Sequence, residues 1–231
     1  TQTPVELITN GFDECDYEIP ACEDASTGSD HKCRHAAGSP DKDFVITHTG
    51  LFAADGNPTT LWEVLAEKCS NDPEFKKFLK IRLVGKTDEI VLENISDAGL
   101  GQNLTDLGYQ PHKTAVEEQR KASILILPLR KEPEYKAVLP GKLFEYLASG
   151  RPVLGIGQPD GAMSMILNNT KTGVVLDWED KMSIARYIDL CWEKHLNGCL
   201  TVENADISQF TRRNLTRRMA QLFDRVTRNG R

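Results

Sequence analysis

The chain has 231 residues, 39% of them hydrophobic and 27% charged, which is enough apolar material for one full core. A net charge of −6 gives no basic footprint to neutralise phosphates, so nucleic acid is excluded as the expected partner. No apolar run reaches the ~20 residues a bilayer requires, and Thr1-Gln2-Thr3-Pro4 lacks a signal-peptide pattern, so a cytoplasmic location is expected.

Val5-Glu6-Leu7-Ile8 has a strand pattern and runs into the turn pair Asn10-Gly11, so residues 1–12 read as a linker with a first strand, continuing from preceding chain. Residues 13–43 lose apolar periodicity to acidic residues, Ser, Gly, Pro and Cys, and read as a long loop or insertion. Cys15, Cys22, His31, Cys33 and His35 are zinc-ligand types, yet the paired C-x₂₋₄-C spacing of structural sites is missing, so no metal is assigned. Cys69, Cys191 and Cys199 sit in or beside predicted helices, where Cys behaves as a small apolar residue.

Residues 44–207 alternate strand and helix patterns. Phe44 to His48 is a strand ending at Thr49-Gly50, and Asn57-Pro58 opens a helix carrying Leu61, Trp62 and Leu65. Ile81 to Val84 ends at Gly85 and precedes a helical Ile90, Leu92, Ile95 stretch. Asn103 to Leu107 ends at Gly108-Tyr109, and Pro111 starts a helix through Arg120. Ser123 to Leu127 is uninterrupted and apolar, the mark of a parallel strand buried on both faces. Pro140 at N1 opens a helix through Ala148, Pro152 to Leu154 is a strand, and Gly173 to Leu176 is the next. The fold class is α/β: a doubly wound open parallel sheet with helices on both faces, right-handed crossovers and ligands at the carboxyl ends of the strands. The segment 208–231 closes the chain as a basic amphipathic helix, with Phe210, Leu215, Met219, Leu222, Phe223 and Val226 along one stripe and Arg212, Arg213, Arg217, Arg218 and Arg225 around it.

The most informative stretch runs from Leu139 to Leu154. Gly141 permits close approach to the unpaired N–H groups of a helix start, which forms an anion site. Lys142 is misplaced against the positive end of the helix dipole unless a phosphate sits there. Glu145 lies one turn on and can accept two hydrogen bonds from a vicinal diol such as ribose. The competing reading is an i,i+3 ion pair on a solvated face.

Lys142-Leu143-Phe144-Glu145-Tyr146-Leu147-Ala148-Ser149-Gly150-Arg151-Pro152-Val153 resembles the signature of the group 1 (family 4) glycosyltransferases. Thr9 to Asp13 resembles that family's entry linker, Thr47 to Leu51 its first strand and donor loop, and Gly108-Tyr109 its base-binding turn. The resemblance implies the C-terminal, nucleotide-sugar-binding half of a GT-B enzyme, a Rossmann-like domain whose N-terminal acceptor domain lies outside this chain. It implies Gly50 at the donor loop, Tyr109 and Gln110 near the base, Gly141 and Lys142 at the diphosphate, and Glu145 on the ribose hydroxyls. The donor is expected to be a UDP- or GDP-linked sugar, with no cofactor, no metal and retention of configuration. No catalytic residue is assigned, and the chain alone is expected to transfer no sugar. The C-terminal helix is expected to pack toward the N-terminal domain, with peripheral membrane association of the longer enzyme as the alternative.

Two positions depart from the family pattern. A glutamate common eight positions before Glu145 is Ala137 here, with Glu132 and Glu134 nearby, and Gly56 and Asn57 stand near the usual basic pair. Arg82, Lys86 and Lys142 are the candidates to balance the diphosphate charge. Two rival readings are an NAD-binding Rossmann domain, from Gly155-Ile156-Gly157-Gln158-Pro159-Asp160-Gly161, and a non-catalytic nucleotide-sugar-binding module.

Overall fold

The computed structural model describes residues 5–17, 43–202 and 206–229. Six strands form one all-parallel sheet: β1 (Phe44–Thr49), β2 (Leu79–Val84), β3 (Leu104–Asp106), β4 (Ile124–Pro128), β5 (Val153–Ile156) and β6 (Gly173–Leu176). Their spatial order is β3-β2-β1-β4-β5-β6. Every residue of β1 is buried, as is Ile124 to Leu127 in β4, because helices cover both faces.

The helices are α1 (Thr59–Asn71), α2 (Pro73–Phe78), α3 (Glu89–Ile95), α4 (His112–Lys121), α5 (Gly141–Ala148), α6 (Ala162–Thr170), α7 (Lys181–Leu196) and α8 (Arg212–Asn229). Asp72 caps α2 by accepting from the N–H groups of Glu74 and Phe75, both at 3.0 Å, and Asp180 caps α7 at Ser183. Phe44, Phe75 and Trp192 meet at ring separations of 5.3–5.7 Å and join β1, α2 and α7 into one core.

Three details differ from the sequence expectation. Val5 to Ile8 forms no strand: Val5 and Leu7 are 93% and 73% exposed, and the Leu7 carbonyl accepts from Arg218 of α8 at 2.9 Å. Phe12 alone bridges to Thr211, which ties the N-terminal segment to the start of α8. Pro140 is the N-cap of α5 and not N1, so Gly141 and Lys142 are the first two helical residues. Ser208–Phe210 is a 3₁₀ turn and Arg212–Asn229 is α8, and the apolar stripe divides: Phe210 and Leu215 are buried, whereas Met219, Phe223 and Val226 are exposed. Of the thiol and imidazole set in 13–43, Cys15 is exposed on a short turn, and Cys22, His31, Cys33 and His35 lie outside the described residues.

The chain builds β1, β2 and β3 outward in one direction, then returns to place β4 on the other side of β1. With right-handed crossovers, the connections leaving β1 and β4 depart to opposite faces and open a crevice between the carboxyl ends of these two strands.

Candidate functional site

A row of glycines shapes one wall of that crevice. Gly50, Gly85 and Gly108 follow β1, β2 and β3 with φ of 93°, 128° and 61°, a region other residues enter only under strain. Gly50 N–H donates to the Val84 carbonyl and Gly85 N–H to the Gly108 carbonyl, each at 2.7 Å. A Cβ on Gly85 would overlap the Gly50 carbonyl oxygen, so the close packing of these strand ends requires glycine. Beyond the row, Tyr109 is 88% exposed, and Gln110 donates to the Leu107 carbonyl at 2.6 Å. Lys86 is exposed, with its carbonyl accepting from Phe52 N–H at 2.9 Å.

The N-terminus of α5 forms the opposite wall. Lys142 and Glu145 make no ion pair with each other among the described contacts; each is drawn to a different element. The Lys142 ammonium lies 3.3 Å from the Leu51 carbonyl and 3.3 Å from His48 Nε2, and a Cβ on Gly50 would come within 2.8 Å of it. His48 Nδ1 lies 3.1 Å from the Ile126 carbonyl, and Nε2 lies 3.2 Å from the Leu51 carbonyl as well as within reach of Lys142, so the tautomer with Nδ1–H serves Ile126 and Lys142 and the one with Nε2–H serves Leu51. Burial, reinforced by the Lys142 charge, lowers the His48 pKa to about 3 and keeps the ring neutral. Burial lowers Lys142 to about 8, with Glu145 opposing the shift. This ammonium is only partly compensated, and it faces the crevice.

Glu145 belongs to a buried hydrogen-bond network. Gln119, 1% exposed, donates through Nε2 to Glu145 Oε2 and to Thr49 Oγ1, both at 3.1 Å, and its Oε1 accepts from the Tyr17 hydroxyl at 2.9 Å. Thr49 N–H donates to the Tyr146 hydroxyl at 2.8 Å. Burial, with Glu145 adding to it, raises the Tyr17 pKa far out of reach of ordinary pH; burial also lifts Tyr146 to about 12, so both remain protonated. Asn10 of the N-terminal segment is the nearest neighbour a Cβ on Gly141 would meet, at 3.9 Å.

The structure therefore brings Gly50, Gly141, Lys142 and Glu145 together at the β1–β4 crevice, and sets Lys86, Tyr109 and Gln110 further along the rim at the ends of β2 and β3. Arg82 is elsewhere: it pairs with Glu118 of α4 at 2.6 Å, and Lys121 takes the other carboxylate oxygen at 3.0 Å. Although burial alone would raise the Glu118 pKa, these two hydrogen bonds lower it, so Arg82 serves this cluster.

Sequence reasoning missed several residues. Gln119 carried a usable signal, since it lies three positions after Val116 on the inward face of α4. Tyr17 and Asn10 carried none. A cleft of about 220 Å³ next to Lys142 is lined by His48, Phe52, Leu129, Tyr135 and an Arg130–Asp55 pair at 2.8 Å. Arg130 lies over the Tyr135 ring at 5.4 Å, and it lines the same cleft as Lys142. Ala137 ends an exposed turn.

Residues 44–194 match the family model described as Glycosyl transferases group 1. The chain belongs to this family. Its fold is that of a GT-B C-terminal domain. Sucrose-phosphate synthase from Thermosynechococcus elongatus superposes with a TM-score of 0.70 at 18% identity, covering 97% of this chain and 53% of that one. Anabaena HepE, solved in complex with UDP-glucose, gives a TM-score of 0.65 at 18% identity over 95% of this chain and 57% of that one. The C-terminal domain of the group 1 glycosyl transferase LpcC from Francisella tularensis gives 0.52 at 14% identity over 70% of this chain and 81% of that one. The chain thus spans about half the length of the first two. Comparison with curated protein sequences gave no match.

Within the family fold, the glycines of the rival NAD reading have packing roles. Gly155 lies inside β5, where a Cβ would strike Met163 and Val175, and Gly161 abuts the Lys136 carbonyl. Asp160 is paired with Lys136. No helix among the described residues is long and apolar enough to cross a membrane.

Proposed function

We propose that this chain is the donor half of a transferase that moves a sugar from a UDP- or GDP-linked donor to an acceptor. The observation that carries this reading is that Lys142 and Glu145, one helical turn apart, decline each other and are held separately over the β1–β4 crevice. An ion pair on a solvated face would leave neither aimed at a ligand. In the proposed pose the diphosphate lies against the first turn of α5 and Lys142, the ribose hydroxyls reach Glu145, and the base extends along the glycine row toward Tyr109 and Gln110.

The chemistry follows from that pose. As the bond from the sugar's anomeric carbon to the diphosphate oxygen breaks, negative charge grows on the leaving group. The α5 dipole and the Lys142 ammonium stabilise that charge from a fixed position, which lowers the barrier without a metal. The acceptor hydroxyl forms the new bond to the anomeric carbon and releases its proton, and the longer protein supplies the acceptor from its N-terminal domain. Retention of configuration, a cytoplasmic setting and turnover that requires that domain belong to the same proposal.

Isothermal titration with uridine, UDP, guanosine and GDP tests it. Glu145→Ala weakens the accepted nucleotide tenfold or more, consistent with a charge-assisted hydrogen bond contributing ~1.5–3 kcal/mol. Lys142→Ala weakens the diphosphate far more than the nucleoside. Unchanged diphosphate affinity in both variants removes α5 from the site.

A further inference from the structure

We infer that Gln119 and Tyr17 are positioning residues for nucleotide recognition: they orient the Glu145 carboxylate so that one of its oxygens is committed to protein and the other faces the ribose. This rests on the donor reading above. The Gln119 amide is saturated in one orientation only. Its two N–H bonds go to Thr49 Oγ1 and Glu145 Oε2, and its carbonyl accepts from Tyr17. The hydroxyl of Tyr17 determines which end of the amide is the carbonyl, because a phenol held protonated beside a carboxylate donates. A flipped amide would turn its carbonyl toward Glu145 and present two acceptors to each other. The orientation is therefore coupled from Tyr17, through Gln119, to Glu145 across 102 and 26 positions of chain.

The choice of an amide matters chemically. Gln119 is neutral and donates to one Glu145 oxygen, so it positions the carboxylate without placing a second charge beside it. A glutamate of the same shape would put two carboxylates ~3 Å apart, where they share a proton and one becomes a donor. The N-terminal segment thereby belongs to the donor site, since its last described residue sets the geometry of the reader.

Titration of the 231-residue chain with UDP, GDP and their 2′-deoxy counterparts at pH 7.5 tests this. The wild-type chain prefers the ribonucleotide of the accepted base by tenfold or more. Gln119→Met reduces that preference to threefold or less, because it weakens the ribonucleotide more than the 2′-deoxy ligand. Tyr17→Phe, which removes one hydroxyl and keeps the ring packed against the core, gives a value between the two. In Gln119→Glu the preference rises with pH as the shared proton leaves, a dependence the wild type lacks. An unchanged preference in both Gln119→Met and Tyr17→Phe overturns the inference, as does equal weakening of ribo and deoxy ligands, which marks a packing role. Loss of preference in Glu145→Ala with none in the Gln119 and Tyr17 variants overturns this inference alone. A wild-type chain indifferent to the 2′-hydroxyl overturns the ribose reading as well.

Discussion

Replacing Lys142 with Met keeps most of the buried aliphatic stem and removes the charge. A charge-assisted bond to phosphate contributes ~1.5–3 kcal/mol, so the diphosphate Kd rises by roughly 10- to 150-fold while nucleoside affinity changes little. The pH profile gives the sharper test. In the free protein Lys142 titrates at about 8, below its usual 10.5, so it loses its proton before the unfolded chain does. From pH 8 to 10.5 the unfolded state binds more protons, and this group makes the fold more stable as pH rises. A bound diphosphate reverses the preference by favouring the ammonium. Diphosphate affinity is then insensitive to Lys142 ionisation below pH 8 and falls by up to tenfold per unit above it, with proton uptake on binding. The ligand's own phosphate ionisation, near pH 6, is complete by then. Calorimetric titration from pH 7 to 9.5, in buffers of different ionisation enthalpy, reads both the slope and the proton uptake. Parallel profiles for wild type and Lys142→Met would refute the assignment of this ammonium to the phosphates.

Gly85→Ala forces a side chain at φ 128° into the Gly50 carbonyl, so urea denaturation shows a loss of at least ~2 kcal/mol, and diphosphate binding weakens as Gly50 moves. His48 is buried neutral with its pKa depressed to about 3, so wild-type stability falls as pH drops below 6.5, where the unfolded chain takes up the proton first. His48→Phe removes up to ~1.4 kcal/mol per pH unit from that slope, measured by urea midpoints between pH 7 and 5; identical slopes count against a buried neutral ring. Phe12→Ala empties a site between the N-terminal segment and α8 and costs ~3–5 kcal/mol if these pieces are integral to the fold, read by chemical denaturation. Removing residues 208–231 uncovers Phe144, which Phe210 meets at 5.3 Å, and lowers thermal stability or causes aggregation; loss of liposome binding alone would favour a membrane-surface role.

Much of the sheet was legible because its signals are local. The apolar run at Ile124 to Leu127 marks burial on both faces, and the glycines after β1, β2 and β3 stand where the chain must turn at the sheet edge. Alternation at Val5 to Ile8 predicts a strand that does not form, because alternation alone says nothing about whether an edge is available. Arg82 stands among the candidates for phosphate in the sequence because nothing along the chain shows Glu118 of α4 as its partner.

The alternation of elements, the glycine turns and the Lys142–Glu145 spacing on α5 are properties of residues a few positions apart, and local pattern is enough to read them. Only the tertiary structure decided what those two side chains face. Lys142 meets His48 and Leu51 across more than ninety positions of chain, and Glu145 meets Gln119, which is itself held by Tyr17. Hydrogen-bond partners of that kind are chosen by the return of β4 to the far side of β1, and pattern along the chain carries no record of which distant donor arrives at which acceptor.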